Sequence, residues 1–148
     1  MTLISIPANP VPDNVVTGTL RTTDGYGLRF ARWAAPAGRK GTVCLLLGRA
    51  EFIEKYFETV RDLRERGFAV VAFDWRGQGL SSRPLPDIRK GHVKSFNEYD
   101  VDLTTVVQEV VLPDCPPPIF ALGHSMGAAM LIRAAYKGRR WFDRDRDC

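Results

Sequence analysis

Cysteine and histidine are scarce in this chain, which has three cysteines and two histidines among 148 residues. Cys44, Cys115 and Cys148 form no C-x-x-C pair, and their odd, scattered count argues against a disulfide framework. No spacing typical of metal ligands joins them to a histidine, so we expect no metal and no other cofactor. Cys44 lies in an apolar run, where we expect it to fill the core.

Long apolar stretches and an N-terminal basic segment are also lacking. Residues 1–20 contain neither Lys nor Arg, and Pro7, Pro10 and Pro12 interrupt them, so we expect no secretory signal. No window approaches the roughly 18 apolar residues of a membrane span. The sequence therefore predicts a cytoplasmic protein with at most peripheral membrane contact through its substrate.

Charge of one sign is not strongly in excess. Twenty-one Lys and Arg face 17 Asp and Glu, a net charge of +4, and the hydrophobic fraction of 45% is ordinary for a globular chain. No basic stripe interleaved with aromatic residues is present, so we expect no nucleic-acid partner. The length suits one domain with one core.

The hydrophobic pattern predicts an α/β fold. Residues 17–22 and 28–33 alternate around Asp24-Gly25, which indicates a β-hairpin after an extended leader at 1–15. Three continuous apolar runs then predict buried strands, and three segments of helical spacing lie after them. We expect a mostly parallel sheet with helices on both faces. The strands are predicted at 42–47, 68–73 and 119–122, and the helices at 52–63, 99–111 (ended by Pro113) and 126–136.

A G-x-S-x-G motif follows the last predicted strand and opens the last helix: Gly123-His124-Ser125-Met126-Gly127. Strand, sharp turn and helix are the context of a nucleophile elbow. The turn lifts the Ser125 hydroxyl clear of the sheet, and the helix N-terminus favours a developing negative charge there. The Met126 N–H is the expected oxyanion-hole donor. The alternative is a glycine-rich turn in which the serine merely caps the helix.

This arrangement resembles the α/β-hydrolase family, in particular its monoacylglycerol lipase and bacterial lysophospholipase branch of S33-type hydrolases. The segment at 74–81 is similar to the family's D-x-R-G-x-G-x-S loop, and Gly91-His92-Val93 is similar to the segment before the next helix. The resemblance covers residues 16–142. It implies a serine hydrolase that cleaves a small lipid ester, a monoacylglycerol or a lysophospholipid, through an acyl-enzyme on Ser125.

The same resemblance places the second oxyanion donor after the first buried parallel strand. Many relatives have His-Gly there, whereas this chain has Leu47-Gly48, followed by Arg49 in a Gly-Arg-x-Glu pattern. By position, Arg49 would donate its backbone N–H, and Gly48 and Arg49 would line the substrate site. The Arg49 guanidinium suits an anionic head group. An equally good alternative is a surface arginine paired with Glu51.

The remaining polar residues are expected to support the scaffold. His92 precedes Ser125, whereas the family's order is serine, acid, histidine. His124 adjoins Ser125 and is expected to point away from it. Asp74 and Arg76 are interpreted as organising their loop. Asp100 and Asp102, on a predicted helix, are expected to be solvated.

No histidine follows Ser125, and Asp143, Asp145 and Asp147 lie in a charged tail and not at the end of a predicted strand, so we expect the triad acid and base to be absent from this chain. Residues 143–148 form a charged, atypical tail that we expect to be irregular. The chain therefore resembles the N-terminal half of the family's domain, truncated after the elbow helix by a frameshift or a shortened gene.

Truncation at that point would leave the strand at 119–122 as an apolar edge and one face of the helix after it uncovered. A C-terminal half or another chain would then be needed to complete the sheet. The alternative function is a non-catalytic fragment or interaction remnant.

Overall fold

Six strands form one mixed sheet in the order β1-β2-β4-β3-β5-β6. The computed structural model describes residues 3–36, 40–81 and 96–147, the last four by their backbone alone. The antiparallel hairpin β1–β2 joins the sheet at β4, and the remaining strands run parallel. The α/β fold with a mostly parallel sheet is therefore confirmed. The strands are β1 Val15–Arg21, β2 Gly27–Trp33, β3 Thr42–Leu46, β4 Ala69–Phe73, β5 Ile119–Gly123 and β6 Arg144–Asp147.

The two central strands, β3 and β4, are buried at every residue. Continuous runs of branched and apolar side chains suit strands covered on both faces. Cys44 is fully buried among them, as predicted. Burial raises the pKa of its thiol well above the usual range, so the residue is an inert core filler.

The helices begin and end close to the predicted positions. A 3₁₀ turn at Ile53–Tyr56 leads into α1, Phe57–Glu65. Gly67, at a φ of 95°, ends it: the Gly67 N–H donates to the Arg64 carbonyl and the Phe68 N–H to the Leu63 carbonyl. This pair of bonds is a Schellman motif, which a glycine at positive φ permits.

The second helical segment runs farther than predicted. It comprises α2, Phe96–Val106, a π-helical turn, Val107–Val111, and a last turn α3, Leu112–Asp114. Pro113 was expected to end the helix, but it lies in the first positions of α3, where a missing N–H is tolerated. The last helix is α4, Met126–Tyr136, at the predicted residues.

The expectation of an irregular tail is wrong, and so is that of an unpaired β5 edge. Residues 144–147 form β6, which pairs in parallel with β5 from Phe120 to Gly123. The Asp143 N–H donates to the Ile119 carbonyl and the Asp143 carboxylate accepts the Ile119 N–H, which aligns the two strands. Backbone pairing of this kind needs no apolar side chains, so the polar sequence was a poor guide to it.

One face of α4 does lack cover, as predicted. Ile132 is 60% exposed and Tyr136 is 92% exposed, although both are large apolar side chains. Within the described parts of the chain, no helix has the length and apolar character needed to cross a bilayer.

Candidate active site

The loops after β3 and β5 lie side by side at the carboxyl end of the parallel strands. The two strands are neighbours, and Leu46 of β3 pairs with Gly123 of β5 at their last residues. The chain passes from β3 to β4 on one side and then to β5 on the other, so the strand order reverses here. Such a switch point is where open α/β sheets form their ligand sites.

Ser125 occupies the turn between β5 and α4 in a sparsely populated backbone conformation. Its φ is 57° and its ψ is −113°, values that a residue with a Cβ rarely adopts. Ser125 is exposed, and its side chain makes no capping hydrogen bond to α4. The capping-serine interpretation is therefore wrong, and the turn has the geometry of a nucleophile elbow.

The two motif glycines permit close backbone approach around that turn. A Cβ on Gly127 would collide with the Leu46 carbonyl oxygen, and one on Gly123 would lie 2.7 Å from the Ala128 nitrogen. The His124 N–H donates to the same Leu46 carbonyl over 3.1 Å. The elbow is thus packed directly against the end of β3, and no larger residue fits at either glycine.

In the loop after β3, the N–H groups on either side of Arg49 are paired, whereas the Arg49 N–H has no acceptor among the described residues. Gly48 donates its N–H to the Glu51 carboxylate over 2.5 Å, and Ala50 donates its own to the Gln78 side chain over 3.0 Å. The N–H groups of Arg49 and Met126 donate to no atom of the described residues. Unpaired donors at adjacent loops, one at a helix N-terminus, are the elements of an oxyanion hole.

A buried carboxylate joins this loop to the elbow. Glu51 Oε1 accepts the Gly48 N–H and the Tyr56 hydroxyl (2.7 Å), and it lies 3.2 Å from His124 Nδ1; Oε2 lies 3.0 Å from Lys55 Nζ. Burial raises the pKa of Glu51, but the hydrogen bonds outweigh it and lower the pKa to about 2. The His124 ring is engaged with Glu51, as expected for a residue that points away from Ser125.

The Arg49 side chain is exposed on the loop after β3. Among the described residues, no ion pair includes its guanidinium. The alternative of an Arg49–Glu51 pair is wrong, because Glu51 is paired with Lys55 instead. The Arg49 guanidinium, which has no ion pair among the described residues, therefore lies on the loop that was predicted to line the substrate site.

Asp74 and Arg76 organise the loop after β4, as interpreted from the sequence. The Asp74 carboxylate accepts the Ile53 N–H (2.9 Å), the Leu80 N–H (3.0 Å) and Arg29 Nε (2.6 Å). Burial raises the pKa of Asp74, while Arg29 opposes that rise. The cluster ties the loop after β4 to the turn that follows the Arg49 loop.

The expectation that Asp102 is solvated is wrong. Asp102 is fully buried and accepts the Arg76 N–H at 3.0 Å and Arg76 Nε at 2.9 Å. Asp102 of α2 is one of two carboxylates that pair with the buried Arg76 guanidinium, and the other is the partly exposed Asp24. Asp100 is half-buried and pairs with Arg133 and Lys137 of α4.

Sequence reasoning missed Glu51 and Gln78 as members of the site. The only signal for Gln78 was its place between two glycines of the D-x-R-G-x-G-x-S loop. His92 lies outside the described residues, so its scaffold role stays a prediction. Among the described residues, no cluster of three potential metal ligands is present.

Comparison with known proteins identifies the family of this chain. The model of the family described as "Serine aminopeptidase, S33" matches residues 37–144. The chain belongs to this family of α/β-hydrolases. Lysophospholipase L2 of Escherichia coli (strain K12) is 40% identical over 107 residues, which cover 72% of this chain and 31% of that protein.

Solved structures show the same fold. A soluble variant of monoglyceride lipase from Saccharomyces cerevisiae, in complex with a substrate analog, has a TM-score of 0.63 at 27% identity and covers 81% of this chain and 38% of that one. The epoxide hydrolase VrEH1 from Vigna radiata has a TM-score of 0.70 at 17% identity, and the match covers 91% of this chain and 38% of the VrEH1 chain. At that identity the likeness shows the fold alone. The chain spans about a third of the length of the curated relatives it matches.

Proposed function

We propose that this chain supplies the nucleophile and the oxyanion hole of a serine hydrolase that cleaves lipid esters. The observation that carries the proposal is the strained Ser125 at the end of β5, whose side chain makes no capping hydrogen bond, with the N–H groups of Met126 and Arg49 at the two adjacent loops, neither of which donates to a described residue. The family membership and the names of the relatives, lysophospholipase and monoglyceride lipase, support an ester substrate.

In the proposed reaction, Ser125 Oγ attacks the ester carbonyl carbon and its proton passes to a base. The carbonyl electron pair moves onto oxygen, where the Met126 and Arg49 N–H groups stabilise the negative charge. The C–O bond to the glycerol oxygen then breaks, that oxygen takes the proton, and an acyl-enzyme remains on Ser125. Water, activated by the same base, releases the fatty acid.

The described residues offer no base for Ser125, because the ring of His124 faces Glu51. We therefore propose that the acid and the base come from a C-terminal part of the domain or from another chain. Alone, this chain is expected to hydrolyse esters far below an enzyme's rate. Turnover of about 1 s⁻¹ by the purified chain, lost in Ser125→Ala, would contradict this.

The Arg49 side chain supports a lysophospholipid, and not a monoacylglycerol, as the substrate. Its exposed guanidinium, free of Glu51, suits the phosphate of a head group, which a monoacylglycerol lacks. A non-catalytic interaction module is the competing function, and the reconstitution below separates the two.

The test joins this chain to the C-terminal two thirds of a lysophospholipase relative and compares the parent with Ser125→Ala and Arg49→Ala. Ser125→Ala should cost several powers of ten in kcat. Arg49→Ala keeps its backbone N–H, so it should weaken lysophospholipid cleavage about tenfold or more and leave monoacylglycerol cleavage unchanged. A loss below about tenfold in Ser125→Ala would reject the nucleophile, and equal losses on both substrates would reject the head-group role.

A further inference from the structure

The Gln78 side chain lies inside the loop that follows β3 and hydrogen-bonds its backbone on both sides of Arg49. Gln78 Oε1 accepts the Ala50 N–H at 3.0 Å. Its Nε2 donates to the Gly48 carbonyl at 3.1 Å and makes a longer contact of 3.4 Å with the Glu51 carbonyl. Because an N–H only donates and a carbonyl only accepts, these partners fix which way the amide faces.

The loop needs such a template because its backbone is strained. Ala50 has a φ of 62°, in the left-handed region that a residue with a Cβ rarely adopts. Strain of this kind persists only where surrounding contacts over-determine the conformation. The Gln78 amide provides those contacts, and its own position is fixed because it is 6% exposed and its N–H donates to the Trp75 carbonyl.

The bonds to Gln78 and Glu51 also decide which donor remains. They use the N–H groups of Gly48 and Ala50, on either side of Arg49, and leave the Arg49 N–H without an acceptor among the residues that the structure describes. We infer that Gln78 is a positioning residue for the oxyanion hole: it sets the direction of the Arg49 N–H without touching the substrate. This inference rests on the proposed function of Ser125 and Arg49.

The experiment uses the full 148-residue chain with Ser125→Cys, since a thiolate reacts without a histidine base. Acylation by 4-nitrophenyl acetate forms a C–S bond, expels nitrophenolate and passes through a tetrahedral oxyanion. Alkylation by iodoacetamide forms a C–S bond and expels iodide without any oxyanion. Both rates are scored at residue 125 by peptide mass spectrometry. The ratio of the acylation rate to the alkylation rate is measured in the folded chain and in denaturant. A higher ratio in the folded chain indicates an oxyanion hole.

Gln78→Ala removes the template, and Gln78→Glu keeps the size and the acceptor but loses the amide donor. Each should lower the ratio about tenfold or more, because a misplacement of about 1 Å costs rates of that order or larger. Alkylation should stay unchanged. Gln108→Ala, at an exposed position, is the matched control and should leave both rates unchanged.

The outcomes separate the two claims. A parent ratio no higher in the folded chain than in denaturant would reject the proposed oxyanion hole, and the inference with it. A raised parent ratio that both Gln78 variants retain would reject the inference alone. Alkylation that falls in step with acylation would show a merely structural role for Gln78, which also overturns the inference.

Discussion

Replacing Ser125 by glycine should stabilise the folded chain relative to replacing it by alanine. Both substitutions remove the hydroxyl, so the comparison isolates the backbone at a φ of 57° and a ψ of −113°. A residue with a Cβ in so sparse a region costs about 1–3 kcal/mol, and glycine relieves that cost. Glycine also raises the entropy of the unfolded chain, which costs about 0.4–1 kcal/mol. The net gain is therefore about 1 kcal/mol.

The assay is thermal and urea unfolding of Ser125→Gly and Ser125→Ala. A gain of about 1 kcal/mol corresponds to roughly 2–4 °C in Tm for a chain near this size. Ala129→Gly is the control, since this exposed residue is in α4 and glycine there should cost about 1 kcal/mol. If Ser125→Gly is less stable than Ser125→Ala, as at the control position, the elbow is not strained and the reasoning fails.

Three further predictions concern the residues around the site. Glu51→Gln should lower the free energy of unfolding by about 1–2 kcal/mol at pH 7, less than the full pKa shift implies because Lys55 is exposed. The extra stability of the parent is present above pH 4.5 and should disappear as the pH falls towards 2, as measured by urea unfolding across that range. Asp102→Asn should cost about 2 kcal/mol, because it removes the buried one of the two carboxylates that pair with Arg76 and leaves only the partly exposed Asp24, and a loss under about 1 kcal/mol would contradict the pairing. Gly127→Ala should cost about 3 kcal/mol through the clash with the Leu46 carbonyl, and an unchanged Tm would show that α4 can move away from β3.

Apolar periodicity was sufficient to predict the sheet and its helices. The runs at β3 and β4 are buried on both faces, and β5 is buried on one face and partly exposed on the other. Continuous apolar runs of this kind are recognisable in a sequence. β6 escaped prediction because Arg144–Asp147 has no apolar pattern, and its pairing depends on backbone bonds that begin at Asp143. The local pattern of apolar residues cannot predict a strand that is held only by hydrogen bonds to the backbone of its neighbour.

Part of the candidate site could likewise be predicted from the sequence and part could not. Ser125 and its glycines were found because a turn between strand and helix restricts which residues fit. Asp102 was misjudged because it lies on α2 while its partner, Arg76, lies on the loop after β4, so only the folded structure shows that they pair. Gln78 accepts a hydrogen bond from the backbone of a loop that is distant in sequence, and Glu51 accepts one from the backbone of its own loop. No spacing rule in the sequence identifies such contacts.

The central claim, that the folded chain presents Ser125 as a nucleophile beside an oxyanion hole, is tested most directly by fluorophosphonate labelling of the chain joined to the C-terminal two thirds of a lysophospholipase relative, which supplies the base that a serine hydroxyl needs. Labelled peptides are mapped by mass spectrometry, and circular dichroism establishes that the sample is folded. We expect Ser125 to be modified faster than any other serine, and the preference to vanish in denaturant. Labelling of Ser125 no faster than of Ser5 or Ser81, or equally fast after unfolding, would contradict the account.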